Sequence, residues 1–231
     1  MTSDLDSLLD GFPFEPGRVN ARIVRGSDGR EVLQVRVELG ILQMECDGRP
    51  DGGDSMLDVL LRAPNRVLPP DEAAQLRLEL AQLQQRAVAF LAVGDPGRAL
   101  RDADRLLAGT EVVCQRAVPA EREWAEGARF SVVVLRTRCE AASLSRSVRA
   151  RAAADAVDAG LDRLRDAAFR AGIGDAFDTL GDVLALRALR DSLVPQLPPA
   201  QRAELEARLR AAVLSENFEL AAILRDELRL L

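Results

Sequence analysis

Three thiols and a few paired carboxylates are the side chains of this sequence whose types could support chemistry. Cys46, Cys114 and Cys139 stand far apart, form no CxxC pair, and have no histidine anywhere in the chain to complete a zinc site. Without histidine there is no imidazole base, no Ser-His-Asp triad and no His-ligated metal. Lysine is absent too, which removes Schiff-base chemistry and the P-loop lysine, and no glycine-rich phosphate cradle is present. Asp47 and Asp51, in Asp47-Gly48-Arg49-Pro50-Asp51-Gly52, could hold a cation, but the spacing is not that of an EF-hand and the segment reads first as a turn. Glu121 and Glu123 read as negative charge favoured at a helix N-terminus. Cys114 and Cys139 fall in apolar helical stretches and read as inert core thiols. The expectation is a protein with no catalytic residues, no cofactor, no metal and no small-molecule substrate.

The bulk properties agree with a binding role. A chain of 231 residues, 48% hydrophobic and 29% charged, can fold around a sizeable core as one large domain or two small ones. Tyrosine is absent and aromatic residues make up 3%, so helices are favoured over a compact β core. All 31 basic residues are arginine, but 37 acidic residues give a net charge of -6. The signs are interspersed, which disfavours nucleic acid as a partner. Met1 to Asp10 carries three aspartates and no apolar h-region, and no apolar run approaches the ~20 residues of a membrane span. A soluble cytoplasmic protein with reduced thiols is expected.

Strand alternation is confined to residues 17 to 46. Val19, Ala21 and Ile23 alternate with polar residues, and after Gly26-Ser27-Asp28-Gly29 so do Leu33, Val35, Val37 and Leu39. This predicts a β-hairpin. Past Gly40 the phase shifts to Leu42, Met44 and Cys46, as at a bend or bulge followed by further extension. Such a ribbon needs a covering layer, and its open edges can either accept a partner strand or simply lie beside the protein's own helices.

From residue 54 the chain reads as successive helices. Asp54-Ser55 caps a short one through Leu61, and Pro69-Pro70-Asp71-Glu72 starts a long one. Leu76, Leu80, Leu83, Ala87 and Phe90 make a single stripe on it, and Gly94 ends it. Asp95 then caps a helix opened by Pro96 and carrying Ala99, Ala103, Leu106 and Leu107. Ala87, Phe90, Gly94-Asp95 and Ala99 resemble a tetratricopeptide repeat in spacing, although Leu106 replaces the small residue expected there and no proline closes the unit. A second pair spans Glu121 to Leu144, with Trp124, Ala128, Val132 and Leu135, and Arg149 to Ala171, with Ala153, Val157, Leu161, Leu164 and Ala168. After Gly172-Ile173-Gly174, a further helix carries Phe177, Leu180, Leu184, Leu189 and Leu193 as a cap on the stack. The fold class is mainly α (α+β overall). The expected divisions are a β-ribbon region over 1-53, a TPR-like scaffold over 54-194, a proline-rich linker over 195-199 and a helical hairpin over 200-231.

In that hairpin Glu204 and Glu206 stand four residues before Arg208 and Arg210, as on a solvated helix face. Leu205, Leu209, Ala212 and Val213 form the opposite face up to Ser215-Glu216-Asn217, a polar turn. A second helix from Phe218 carries Ala221, Ala222, Leu224, Leu228 and Leu231 inward, with Phe218 plugging the turn. Leu209, Ala211-Ala212, Phe218-Glu219, Ala221-Ala222 and Leu224-Arg225-Asp226 resemble the UVR (UvrB/UvrC) motif over about 30 residues. The resemblance implies contact with another protein, since in that family the hairpin joins excision-repair proteins and recurs in adaptors and chaperone-protease partners. The residues expected to bind are Leu205, Leu209, Ala212, Phe218, Ala222, Leu224, Arg225, Asp226 and Leu228, with Arg225 and Asp226 giving specificity. A scaffold or adaptor is therefore the leading expectation. A DNA-repair factor touching nucleic acid and a structural homodimer are the alternatives, and docking of the hairpin on its own scaffold is the rival to a free module.

Overall fold

A computed structural model of the chain describes residues 9-146, 149-193 and 199-230. The linker expected at 195-199 falls mainly outside these residues, as do Met1 to Leu8 and Leu231.

Alternation of apolar and polar residues yields three antiparallel strands, β1 (Asn20–Arg25), β2 (Glu31–Val37) and β3 (Gly40–Glu45), in the order β1-β2-β3. The hairpin is thus extended by a third strand, and the segment after Gly40 turns back instead of continuing past a bulge. Val37 pairs with Gly40 across the two-residue turn Glu38-Leu39. Opposed residues on either side of such a turn differ in parity, so odd-numbered Leu33 and Val35 meet even-numbered Met44 and Leu42. The phase shift in the sequence is therefore the mark of the reversal. Ile23, Leu33 and Met44 lie in one row and Ala21, Val35 and Leu42 in the next, on the face that packs into the helical core, with Leu42 at the edge left exposed. On the other face a polar row crosses the sheet. Arg22 Nε donates to Gln34 Oε1 and Gln34 Nε2 to Gln43 Oε1, both at 2.9 Å, while the Phe12 ring lies 4.2 Å from the Arg22 guanidinium.

Eight α-helices follow among the described residues: α1 (Met56–Arg62), α2 (Pro70–Ala92), α3 (Pro96–Arg116), α4 (Pro119–Arg146), α5 (Ala150–Arg170), α6 (Gly181–Leu193), α7 (Pro199–Leu214) and α8 (Phe218–Leu230), with a 3₁₀ segment at Gly174–Thr179 before α6. Local chemistry explains their starts. Ser55 Oγ accepts from Asp58 N at 3.0 Å, and Asp95 Oδ1 from Arg98 N at 3.1 Å, each satisfying an amide that the helix leaves open. Gly94, with φ of +75°, supplies the left-handed residue that ends α2.

Each of the helices α2 to α5 packs on the one that follows it. One apolar core joins the sheet to α1-α4 through Leu33, Leu57, Leu76, Leu80 and Phe90, and a second joins α4 to α5 and α6 through Val133, Val157, Leu164 and Leu186. Helix α4 serves both. Its contact with α5 is close because Gly160 lies against Thr137, where an added Cβ would meet Thr137 Cγ2 and Oγ1 at 2.3 Å. Two stripes are rotated from expectation. Ala125 is buried in place of Trp124, whose exposed ring receives the Arg77 guanidinium at 5.1 Å, and Val183 and Leu186 are buried in place of Leu184. Alanine and leucine recur all round these helices, so spacing alone left their rotation undetermined.

A charged network stitches the sheet to the stack. Arg86 donates from Nε and Nη2 to Asp102 at 2.6 and 2.9 Å, and from Nη1 to the Glu45 carbonyl at 3.0 Å. Arg101 donates to the Cys46 carbonyl at 2.8 Å and to Asp102 at 3.2 Å. Asp102 is fully buried.

Candidate protein-docking hairpin

Helices α7 and α8 pack against each other around Ala212, Ala221 and Leu224, flanked by Leu205 and Leu209. Among the described residues this cluster shares no member with the two scaffold cores. Small residues at the contact let the helix backbones come close, which is what the paired alanines require. The turn ends α7 in a Schellman arrangement, with Asn217 N donating to the Ala212 carbonyl at 2.9 Å and Glu216 N to the Val213 carbonyl at 3.1 Å. Glu216 takes the left-handed position, with φ of +55°. Asn217 then caps α8, its Oδ1 accepting from Leu220 N at 3.1 Å.

The expected binding residues divide into two sets. Ala212 and Leu224 are buried within the hairpin, and Leu205, Leu209, Ala222 and Leu228 are half-buried. These hold the hairpin together. Phe218 does not plug the turn: it is 68% exposed, and Val213, expected inside, is exposed as well. As the first residue of α8, Phe218 stands at the turn end, where α7 has already stopped at Leu214. Leu214 at 85% and Ile223 at 63% are likewise open to solvent, and neither belongs to the contact set expected from the motif. Arg225 is exposed on α8, and the side chain of Asp226 lies outside the described residues.

The side chains weighed for chemistry occupy quieter settings. Cys139 is fully buried and burial pushes its thiol up to about 12; burial also raises the thiols of Cys46 and Cys114. Asp51 is clamped by Arg49 at 2.9 and 2.7 Å and accepts from Gly53 N, and the Arg49 guanidinium holds its carboxyl well below the usual carboxylate range. Asp47 is paired with Arg101. The DGRPDG segment is thus a turn whose carboxylates face arginines. Glu121, in the first turn of α4, pairs with Arg77 at 3.1 Å.

One feature is not foreshadowed by the residue pattern. A cavity of about 1150 Å³ lies between β3, the loop after it, α1 and α2. Its only trace in the sequence is the polar side of α2, where Gln75, Gln82 and Gln85 read as ordinary solvated positions.

Comparison with protein families matches residues 200–231 to the UVR family, the UvrB/uvrC motif. The match coincides with α7 and α8, so the hairpin carries this motif. No curated protein and no solved structure matches the chain. No helix among the described residues is long and apolar enough to cross a membrane.

Proposed function

We propose that this chain is a non-enzymatic cytoplasmic adaptor in which a TPR-like helical scaffold presents its C-terminal UVR hairpin to a partner protein. The observation that carries this reading is the division of the hairpin's apolar residues. Ala212, Ala221 and Leu224, flanked by Leu205 and Leu209, close it, while Leu214, Phe218 and Ile223 remain in water. Large apolar side chains left exposed on a small unit favour a contact surface over a solvated one. The separate core of the hairpin supports a module offered outward over one folded on its own scaffold. The net charge of -6 favours a protein partner over nucleic acid.

Recovery of cross-linked partners on the full chain, on a chain ending at residue 193, and on Leu214→Ser/Phe218→Ser/Ile223→Ser tests the reading. A partner held by the full chain should be lost from both altered forms. Unchanged recovery would sink the proposal, and light scattering that shows hairpin-dependent dimers with no other partner would replace it by homodimerisation.

A further inference from the structure

The outer edge of β3 borders the large cavity, and the hydrogen-bonding pattern of the sheet determines what that edge offers. Pairing across a two-residue turn makes Val37 and Gly40 a hydrogen-bonded pair, and with it Val35-Leu42 and Leu33-Met44. The backbone groups of Ile41, Gln43 and Glu45 consequently point away from β2. Arg86 already occupies the Glu45 carbonyl at 3.0 Å. The outward N–H and C=O groups of Ile41 and Gln43 bond to no other backbone group among the described residues.

The floor beside this edge is ready for another strand. The α2 residues Gln75, Leu78, Glu79 and Gln82, at i, i+3, i+4 and i+7 on one face of the helix, line the cavity together with Val59 of α1. Leu42, Val59 and Leu78 are exposed apolar groups there. The arginines of the lining are all paired with carboxylates, while the carboxylate of Glu79 accepts from the backbone N–H of Met56 at 2.8 Å and has no ion pair among the described residues. Arg49 is paired with Asp51, Arg66 with Glu72, Arg86 and Arg101 with Asp102, and Arg105 with Asp58. Glu45 and Asp54 accept from Arg30 and Arg62. Glu72 Oε2, on a residue lining the cavity, is buried with no donor. Such a surface asks for apolar side chains and N–H donors, and offers no unpaired cation to an anionic ligand.

We propose that this cavity is a second binding site, in which an extended peptide segment of a partner protein, free of acidic residues, pairs with Ile41 and Gln43 as a fourth strand and rests on α2. Main-chain hydrogen bonds would supply the attachment, and alternate side chains would meet Leu42, Val59 and Leu78. The site belongs to the scaffold and does not depend on the hairpin.

Panning a random dodecapeptide phage library on the full chain, then titrating the enriched peptides by fluorescence anisotropy, tests the proposal. Enriched peptides should alternate apolar with non-acidic residues. Gln43→Pro removes one outward N–H at an edge position where the ladder loses nothing. It should weaken binding at least tenfold, whereas Gln43→Ala, which loses the side chain alone, should bind within about twofold of the parent. Leu78→Arg, at an exposed floor position, should also weaken binding at least tenfold with an unchanged melting temperature, and stands as the test if Gln43→Pro does not fold. Absence of enrichment, an acidic consensus, or equal binding to the parent, Gln43→Pro and Leu78→Arg chains would overturn the proposal. So would a concentration-dependent dimer abolished by Gln43→Pro, which would assign the edge to a second copy of this chain.

Discussion

Replacing Asp102 with asparagine should loosen the junction between the sheet and the helical stack. Asp102 is fully buried and receives two hydrogen bonds from Arg86, whose side chain is 13% exposed. The substitution keeps the shape but removes the charge, leaving a largely buried guanidinium without its counterion. Breaking a buried pair from one side costs about 3–5 kcal/mol. Residual exposure of Arg86 places the expected loss near the lower end, at about 3 kcal/mol. In a chain of this size that corresponds to a fall in melting temperature of roughly 6–12 °C. Circular dichroism melts would measure it, and amide hydrogen exchange should accelerate in β3, because Arg86 also donates to the Glu45 carbonyl. The double replacement Arg86→Met with Asp102→Leu should recover much of the loss, since an apolar pair of similar bulk carries no desolvation penalty. A loss below about 1 kcal/mol for Asp102→Asn, or a double variant worse than the single, would refute the reasoning.

Three further substitutions probe separate features. Glu216→Gly relieves a left-handed residue at the hairpin turn and should raise hairpin stability by about 0.5–1 kcal/mol, read from the melt of the C-terminal helices; a decrease would contradict the assigned turn. Gly160→Ala forces a methyl group into Thr137 and should destabilise the chain by about 1–3 kcal/mol, with stability regained when Thr137→Ala is added. The Cys139 thiol, raised from 9.0 to about 12 by burial, stays protonated in the fold while an unfolded thiol ionises. Its contribution is therefore complete below pH 9 and is lost as pH rises toward 12, so stability should fall more steeply across that window than in Cys139→Ala. Denaturant titrations at several pH values decide, and identical slopes would exclude the effect.

Features encoded within one or two helical turns are legible in the sequence itself. The caps at Ser55 and Asp95, the proline starts, the stripe from Leu76 to Phe90 and the motif residues of the terminal hairpin all depend on neighbours three or four positions away. Local spacing decides such features. The shift of alternation after Gly40 is equally visible, but a bulge and a reversal produce the same shift, and only pairing with β2 separates them.

What the tertiary structure decided depends on residues that meet without a sequence rule to join them. Which side of α4 and α6 turns inward, the pairing of Arg86 with Asp102 and the cavity beside β3 each follow from how whole elements rest on one another. The terminal hairpin, matched by one motif over residues 200–231, shows both regimes. Its sequence determined two helices, a turn and an alanine-lined contact, because those are local. That Phe218 faces water instead of filling the turn was decided by where α7 stops relative to the start of α8, and this end-to-end geometry leaves no periodic trace.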